Sequence, residues 1–253
     1  MSTTKLILAT GSDGRYLNKI KPYLNSIDVN SNFDLNLLIY LGDNQIVIDN
    51  NLKVLNLLSS NYIHRNSINC TQHGEFIKAE GFDDIVGDDD VIVFTDGDMI
   101  LQRNLNEVEL NKFRGLKYGD VFIGYNASPE DTLEKEYRRL LPTGSIPENF
   151  RVDLTKIKCY NSGVIAATKS TFRKLLNHYS EMYGEVDKMM RYYPKQQWLI
   201  SFIIGTKDFN IIEMGYDIHN HSHYPTAKGS NINKGVVIYN GEVVLFKHKW
   251  DFK

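Results

Sequence analysis

The chain has 253 residues, 42% of them hydrophobic and 24% charged, the profile of an ordinary globular protein with room for one large α/β domain and a sizeable core. A formal net charge of -2 excludes a nucleic-acid binder that works through bulk positive charge. Two cysteines, Cys70 and Cys159, supply neither a disulfide framework nor a Cys-x-x-Cys metal spacing, so a reduced, cytoplasmic setting is expected. The apolar core of the opening MSTTKLILATGSDGR is far too short for a signal peptide. No apolar run approaches the roughly 20 residues of a membrane helix.

In chain order, Lys5 to Ala9 predicts a short strand that ends in the turn-forming loop Thr10-Gly11-Ser12-Asp13-Gly14. Tyr16, Leu17, Ile20, Tyr23, Leu24 and Ile27 then recur at helical spacing. Leu35 to Leu41 is the next strand, closed by Gly42-Asp43-Asn44, and a weaker one lies around Leu52 to Leu55. Phe76, Ile77, Ala79 and Phe82 predict a helix just before the run Val91-Ile92-Val93-Phe94-Thr95, whose continuous apolar character is that of a strand buried on both faces. Strands alternating with helices imply βαβ units and a mostly parallel sheet.

Val121 to Gly124 is a further strand. The segment from Ala127 to Asn149 carries Pro129, Pro142 and Pro147 around a charged helix from Glu130 to Leu141, and reads as an inserted excursion. Ser162 to Ala167 returns to an apolar strand, Thr171 to Tyr183 to a helix, and Gln196 to Ile204 to a strongly apolar helix opened by Pro194. The tail from Tyr216 on is rich in His, Gly, Asn and Lys, with one hairpin signal at Tyr239-Asn240-Gly241-Glu242. With no repeat, linker or low-complexity block, a single domain is expected. Residues about 1–100 would form a nucleotide-binding half, and about 101–253 a sugar and acceptor half with a C-terminal tail.

The apolar strand leads straight into Asp96-Gly97-Asp98. In open α/β sheets ligands bind at the carboxyl ends of strands. Two carboxylates at i and i+2 there offer hard oxygen ligands to a divalent cation able to neutralise a diphosphate. Four other segments are compatible with the same chemistry. The glycine-bearing loop after the first strand lets backbone N–H groups approach a ligand. Asn161-Ser162, ahead of a strand, can hydrogen-bond sugar hydroxyls, and Gln196-Gln197 places two amides on the first turn of a helix. At the chain end, Phe246-Lys247-His248-Lys249-Trp250 carries an imidazole suited to a manganese-like ion, flanked by lysines suited to phosphate. His219, His221 and His223 are a rival source of imidazole.

The order of these pieces resembles the nucleotide-sugar glycosyltransferases of the GT-A fold, most of all the family-8 group that includes lipopolysaccharide galactosyltransferases and glycogenin. The resemblance spans nearly the whole chain and rests on short motifs in a fixed order. It implies a Rossmann-like α/β sheet with flanking helices, a UDP-sugar donor, and a glycan, lipid or protein acceptor. By the same resemblance, Ala9, Thr10 and Tyr16 would contact the base, and Lys78 the diphosphate. Asp96, Asp98 and His248 would hold Mn²⁺ or Mg²⁺, Asn161 and Gln197 would face the donor sugar, and Lys247, Lys249 and Trp250 would close over the phosphates. Two departures stand out. Gln196-Gln197 replaces the family's Asp-Gln pair, and the family tail His-x-x-Gly-x-x-Lys-Pro-Trp is compressed to His248-Lys249-Trp250, which keeps the other three histidines as rival ligands.

Inverting transfer needs a general base, usually a carboxylate, and the helix at Gln196 offers only amides. A retaining transfer is therefore expected, with the leaving phosphate accepting the proton. Two alternatives accompany this reading: a haloacid-dehalogenase-type phosphatase, which also uses Asp-x-Asp after an apolar strand, and a module that binds a nucleotide sugar without transferring it.

Overall fold

The computed structural model describes residues 4–12, 17–40, 62–66, 85–126, 128–140, 146, 148–189, 195–220, 230–233 and 235–248. Its elements in chain order are β1 (Leu6–Ser12), α1 (Leu17–Asn30), β2 (Leu35–Tyr40), β3 (Tyr62–Asn66), β4 (Val91–Thr95), β5 (Met99–Leu101), α2 (Glu107–Arg114), β6 (Asp120–Tyr125), α3 (Leu133–Leu140), β7 (Tyr160–Thr168), α4 (Lys169–Met189), α5 (Lys195–Thr206), β8 (Asn210–Met214), β9 (His219–Asn220), β10 (Ser230–Asn233), β11 (Val236–Tyr239), β12 (Glu242–Val243) and β13 (Phe246–His248). The expected weak strand near Leu52, the helix around Phe76 and the Gly42-Asp43-Asn44 loop lie outside the described residues. So do Tyr16, Lys78, His221, His223, Lys249 and Trp250.

Seven strands form one sheet in the order β3-β2-β1-β4-β7-β6-β8. Every neighbouring pair is parallel except those made by β7, which runs antiparallel to both β4 and β6. The mostly parallel sheet expected from the sequence is therefore present, with one reversed strand near its middle. That reversal has a consequence for the site. The amino-terminal end of β7, Tyr160 to Gly163, lies at the same sheet edge as the carboxyl-terminal ends of β4, β6 and β8.

β4 shows why its sequence is apolar throughout. Ile92 and Phe94 enter one core, and Val91 and Val93 the other. The first core packs α3, α4 and α5 on the sheet, around Trp198, Tyr137 and Phe150, all at most 1% exposed. Leu133 and Tyr137, in the segment read as an excursion, thus belong to the main core, and α3 starts at Leu133 rather than at Glu130. The Trp198 indole donates to the Leu133 carbonyl at 3.2 Å, which satisfies the one polar atom of this buried side chain. The second core packs α1 and α2 against the other face, together with Met99 and Leu101 of β5 and Phe246 of β13.

Two small sheets complete the fold. In one, β10, β11 and β12 pair antiparallel, and the β11–β12 turn has Asn240 at φ 50° and Gly241 at φ 89°. Two successive positive φ values make the primed hairpin turn that Asn-Gly announces. In the other, β13 lies between β5 and β9, antiparallel to β5 and parallel to β9. β5 directly follows Asp98, and its Met99 pairs with His248. This pairing carries His248 to the aspartates.

Candidate metal and donor site

Asp96 and Asp98 sit in the tight turn between β4 and β5. The Asp96 amide donates to the Gly163 carbonyl at 2.9 Å, which fastens the turn to β7. A Cβ on Gly97 would stand 3.0 Å from the Gly11 carbonyl oxygen, so glycine lets the turn close over the end of β1. A buried hydroxyl network lies beneath. Tyr23 Oη is 2.5 Å from Thr95 Oγ1, and Thr10 Oγ1 donates to the Thr95 carbonyl at 3.0 Å. Burial, together with the negative charge of Asp96, holds the Tyr23 phenol well above its ordinary value, so it stays neutral beneath the carboxylates.

His248 Nε2 lies 3.6 Å from Asp96 Oδ2 and 3.6 Å from Asp98 Oδ1. The imidazole is buried, whereas the two carboxylates are about one-fifth exposed, so the cluster opens to solvent on the carboxylate side. The three donor atoms all fall within 4.8 Å of one another. Donors around one ion at roughly 2.1 Å stand about 3 to 4.2 Å apart, so a small closure of these side chains suffices. Two carboxylate oxygens and one imidazole nitrogen suit Mn²⁺, with Mg²⁺ the harder alternative. The residues present fit such an ion.

The ring of His248 rests on β7 because position 163 is glycine: a Cβ there would come within 2.4 Å of His248 Cε1. Asn161 is buried where β6 and β7 slip register between Ile123 and Gly124, and its Oδ1 accepts from the Gly163 amide at 2.7 Å. It is therefore part of β7, which begins at Tyr160, two residues before the expected start at Ser162. Gln196 and Gln197 are both buried, at 5% and 8% exposed. Gln197 Nε2 donates to Asn126 Oδ1 at 2.9 Å, just beyond the end of β6.

The remaining assigned residues are placed differently. Ala9 is buried within β1, paired with Leu37 and Phe94, and the Thr10 hydroxyl is turned onto Thr95; β1 runs on to Ser12, through residues expected to be loop. Lys247 alternates with His248 along β13, and its amine donates to the Gly235 carbonyl at 2.8 Å. The structure thus gathers Asp96, Asp98 and His248, with Asn161 alongside, and does not bring Lys247 into that group. Of the rival histidines, His219 approaches His248 and not the carboxylates: its Nε2 is 3.3 Å from His248 Nδ1.

One cluster at this edge has no counterpart in the sequence reading. Glu213, near the end of β8, accepts from Tyr125 Oη at 2.6 Å, Lys158 Nζ at 2.5 Å and Tyr160 Oη at 3.3 Å. Burial opposes its ionisation, but these hydrogen bonds outweigh burial and hold it below the ordinary carboxylate value. Its bond to Tyr125, with some burial, pushes that phenol up to about 12. Tyr216 and Tyr239 continue the aromatic series beside Tyr125, each ring 5.7 Å from the next. The strand from Val121 to Gly124 that leads to Tyr125 was expected; the one that carries Glu213, Asn210–Met214, was not, since its short run does not alternate apolar and polar residues.

The mostly parallel sheet with one reversed strand is the GT-A fold seen in glycosyltransferases. The chain has the fold of mouse xyloside xylosyltransferase 1 in its apo form, with a TM-score of 0.55 and 13% identity over 98% of each chain. It is similar also to the galactosyltransferase LgtC in complex with donor and acceptor sugar analogs, at TM-score 0.59 and 12% identity over 98% of this chain and 87% of that one. An active-site mutant of LgtC gives TM-score 0.57 at 12% identity over 97% and 87% of the two chains. No protein-family model matches the chain, and no curated protein sequence matches it. Among the described residues no helix is long and apolar enough to cross a membrane.

Proposed function

We propose that the protein is a metal-dependent glycosyltransferase that moves a sugar from a UDP-sugar to a hydroxyl acceptor with retention. The observation that carries this reading is the convergence of Asp96, Asp98 and His248 at the carboxyl end of β4 within a GT-A fold. A divalent cation bound there supplies positive charge to the donor's diphosphate and stabilises the negative charge that develops on the leaving oxygen. Asp96, Asp98 and His248 would hold that cation, through which the diphosphate end of the donor is fixed, and the strand ends beside them orient the sugar.

Asn161 and Gln197 are assigned to the sugar through their amides, already oriented by Gly163 and Asn126. The end of β1 is assigned to the base by its backbone, since the Thr10 hydroxyl is committed within the sheet. Lys247 is assigned to the phosphates by its charge; its amine donates to the Gly235 carbonyl in an exposed bond.

Retention rests on what surrounds Gln197 among the described residues: the carboxylates near it, Asp131 and Glu136 beside Cys159, are engaged by Lys135 and Arg139. Gln196 and Gln197 are amides. Glu213 is held ionised by a lysine and two phenols, which lowers its appetite for a proton. In a retaining step the bond from the anomeric carbon to the phosphate breaks and one to the acceptor oxygen forms on the same face. The acceptor's proton passes to the departing phosphate oxygen.

A thermal-shift panel of nucleotide sugars with and without Mn²⁺ tests the reading. Ligand at 100 times its Kd adds about 2.7 kcal/mol to apparent stability. Mn²⁺-dependent stabilisation by a UDP-sugar that disappears in Asp98→Asn supports the assignment; an Asp98→Asn variant stabilised as strongly as the parent overturns it. The phosphatase alternative loses its support with the fold. Stabilisation without turnover would point to a binding module.

A further inference from the structure

We propose that His219 is a positioning residue for the metal ligand His248, fixing which ring nitrogen of that imidazole faces the aspartates. The inference rests on the metal reading given above. To ligate through Nε2, a neutral His248 must carry its one proton on Nδ1. That proton needs a buried acceptor, because His248 is only 3% exposed. The atom in place is His219 Nε2, 3.3 Å from His248 Nδ1, on a ring that is itself 4% exposed. An accepting His219 carries its own proton on Nδ1.

The backbone sets this contact. β9 and β13 pair in parallel, Phe246 opposite His219, with the Phe246 amide donating to the Ile218 carbonyl at 2.7 Å and the Leu245 amide to Asp217 at 2.9 Å. The two rings also stand on paired gaps in the main sheet. A Cβ on Gly163 would strike His248, and a Cβ on Gly124 would come within 2.8 Å of His219 Nδ1. Two adjacent strands therefore each leave out a side chain to seat one imidazole.

Behind a ligating histidine the usual partner is a carboxylate or a carbonyl. A neutral imidazole orients His248 without adding negative charge. Among the described residues the two aspartates are then the anions of the cluster, which limits its repulsion of a diphosphate.

The test is direct Mn²⁺ binding to the full chain without nucleotide, read from the electron paramagnetic resonance signal of the free ion. Removing a partner of this kind costs about 10–100-fold in metal affinity. His219→Leu is expected to weaken Mn²⁺ by that factor, and His219→Gln, which keeps a side-chain acceptor, to recover most of it. His219→Leu binding as tightly as the parent overturns the proposal, as does His219→Gln binding no better than His219→Leu.

Should the variants not fold, long-range ¹H–¹⁵N imidazole spectra of the unaltered chain saturated with Mg²⁺ decide the matter. Protons on Nδ1 of both histidines support the proposal; a proton on His219 Nε2 with a bare His248 Nδ1 overturns it. Failure of the unaltered chain to bind Mn²⁺, or undiminished binding by Asp98→Asn, defeats the metal reading itself. A missing effect confined to His219 leaves that reading standing.

Discussion

His248 reaches its place through a glycine. A Cβ at position 163 would lie 2.4 Å from its ring, a contact no side chain can sustain, and the strand beneath it cannot retreat because β7 is paired on both sides. Gly163→Ala should therefore displace the imidazole, weakening Mn²⁺ binding at least about tenfold and costing roughly 1–3 kcal/mol of stability, the usual range for overpacking. Free-Mn²⁺ titration with a denaturant melt checks both; unchanged affinity would show that the ring is not held there. In the sequence, Asn161-Ser162 reads as a pair of hydrogen-bonding side chains at the start of a strand that runs through Gly163. That its glycine makes room for a residue near the chain's end is a non-local fact that no local pattern carries. Glu213 gives a prediction in pH. Its carboxyl is depressed in the folded state, so its contribution is full above the unfolded carboxylate value of about 4.3 and fades as pH falls below that. Against Glu213→Gln, the parent should show its largest advantage in urea midpoint at pH 7, shrinking from about pH 4 downward. A difference that persists undiminished at pH 2 would contradict the assignment.

Among elements, those with strong periodicity were legible: β1, α1, β2, β4, β6, β7, α4 and α5 all fall on expected segments, and the Asn240-Gly241 hairpin forms where its turn chemistry places it. β3, β5, β8, β9 and β13 were not. Each is short, and several carry polar residues such as His64, Arg65 and Asn210 that weaken a strand pattern. They become strands by pairing, which is a tertiary effect. α2 had a local signal that went unread. Asn106 accepts from the Glu109 amide at 2.9 Å while Glu109 accepts from the Asn106 amide at 2.9 Å, a capping box, and Arg103 clasps the same carboxylate with two bonds. The clearest case of packing deciding an element's role is α5. Trp198 is fully buried, stacked on Phe202 with ring centroids 5.4 Å apart and edge-on to Phe150 at 5.4 Å. It joins α3 to the sheet directly behind Gln197. Trp198→Ala should cost about 3–5 kcal/mol in a denaturant melt; a cost below about 1 kcal/mol would mean that this core closes without it.

At the scale of the molecule, the fold survives at 12–13% identity to solved glycosyltransferases, because what the architecture requires is a pattern of apolar strands and amphipathic helices rather than particular residues. The order of those pieces was readable in the chain, and the GT-A fold followed from it. The third ligand was less legible. Four histidines competed, and only the β5–β13 pairing, a contact between distant segments, brings His248 to the aspartates and leaves His219 behind it. The account's central claim is that this cluster serves transfer from a nucleotide sugar. Proton NMR of the chain with the UDP-sugar that stabilises it most, with water as the acceptor, follows the growth of UDP and the anomer first released in one time course. The account predicts UDP release that requires Mn²⁺, stops with chelator, is lost in Asp98→Asn, and delivers first the anomer that the donor carried. Release indifferent to chelator and to Asp98→Asn would contradict it, and an inverted first product would contradict retention.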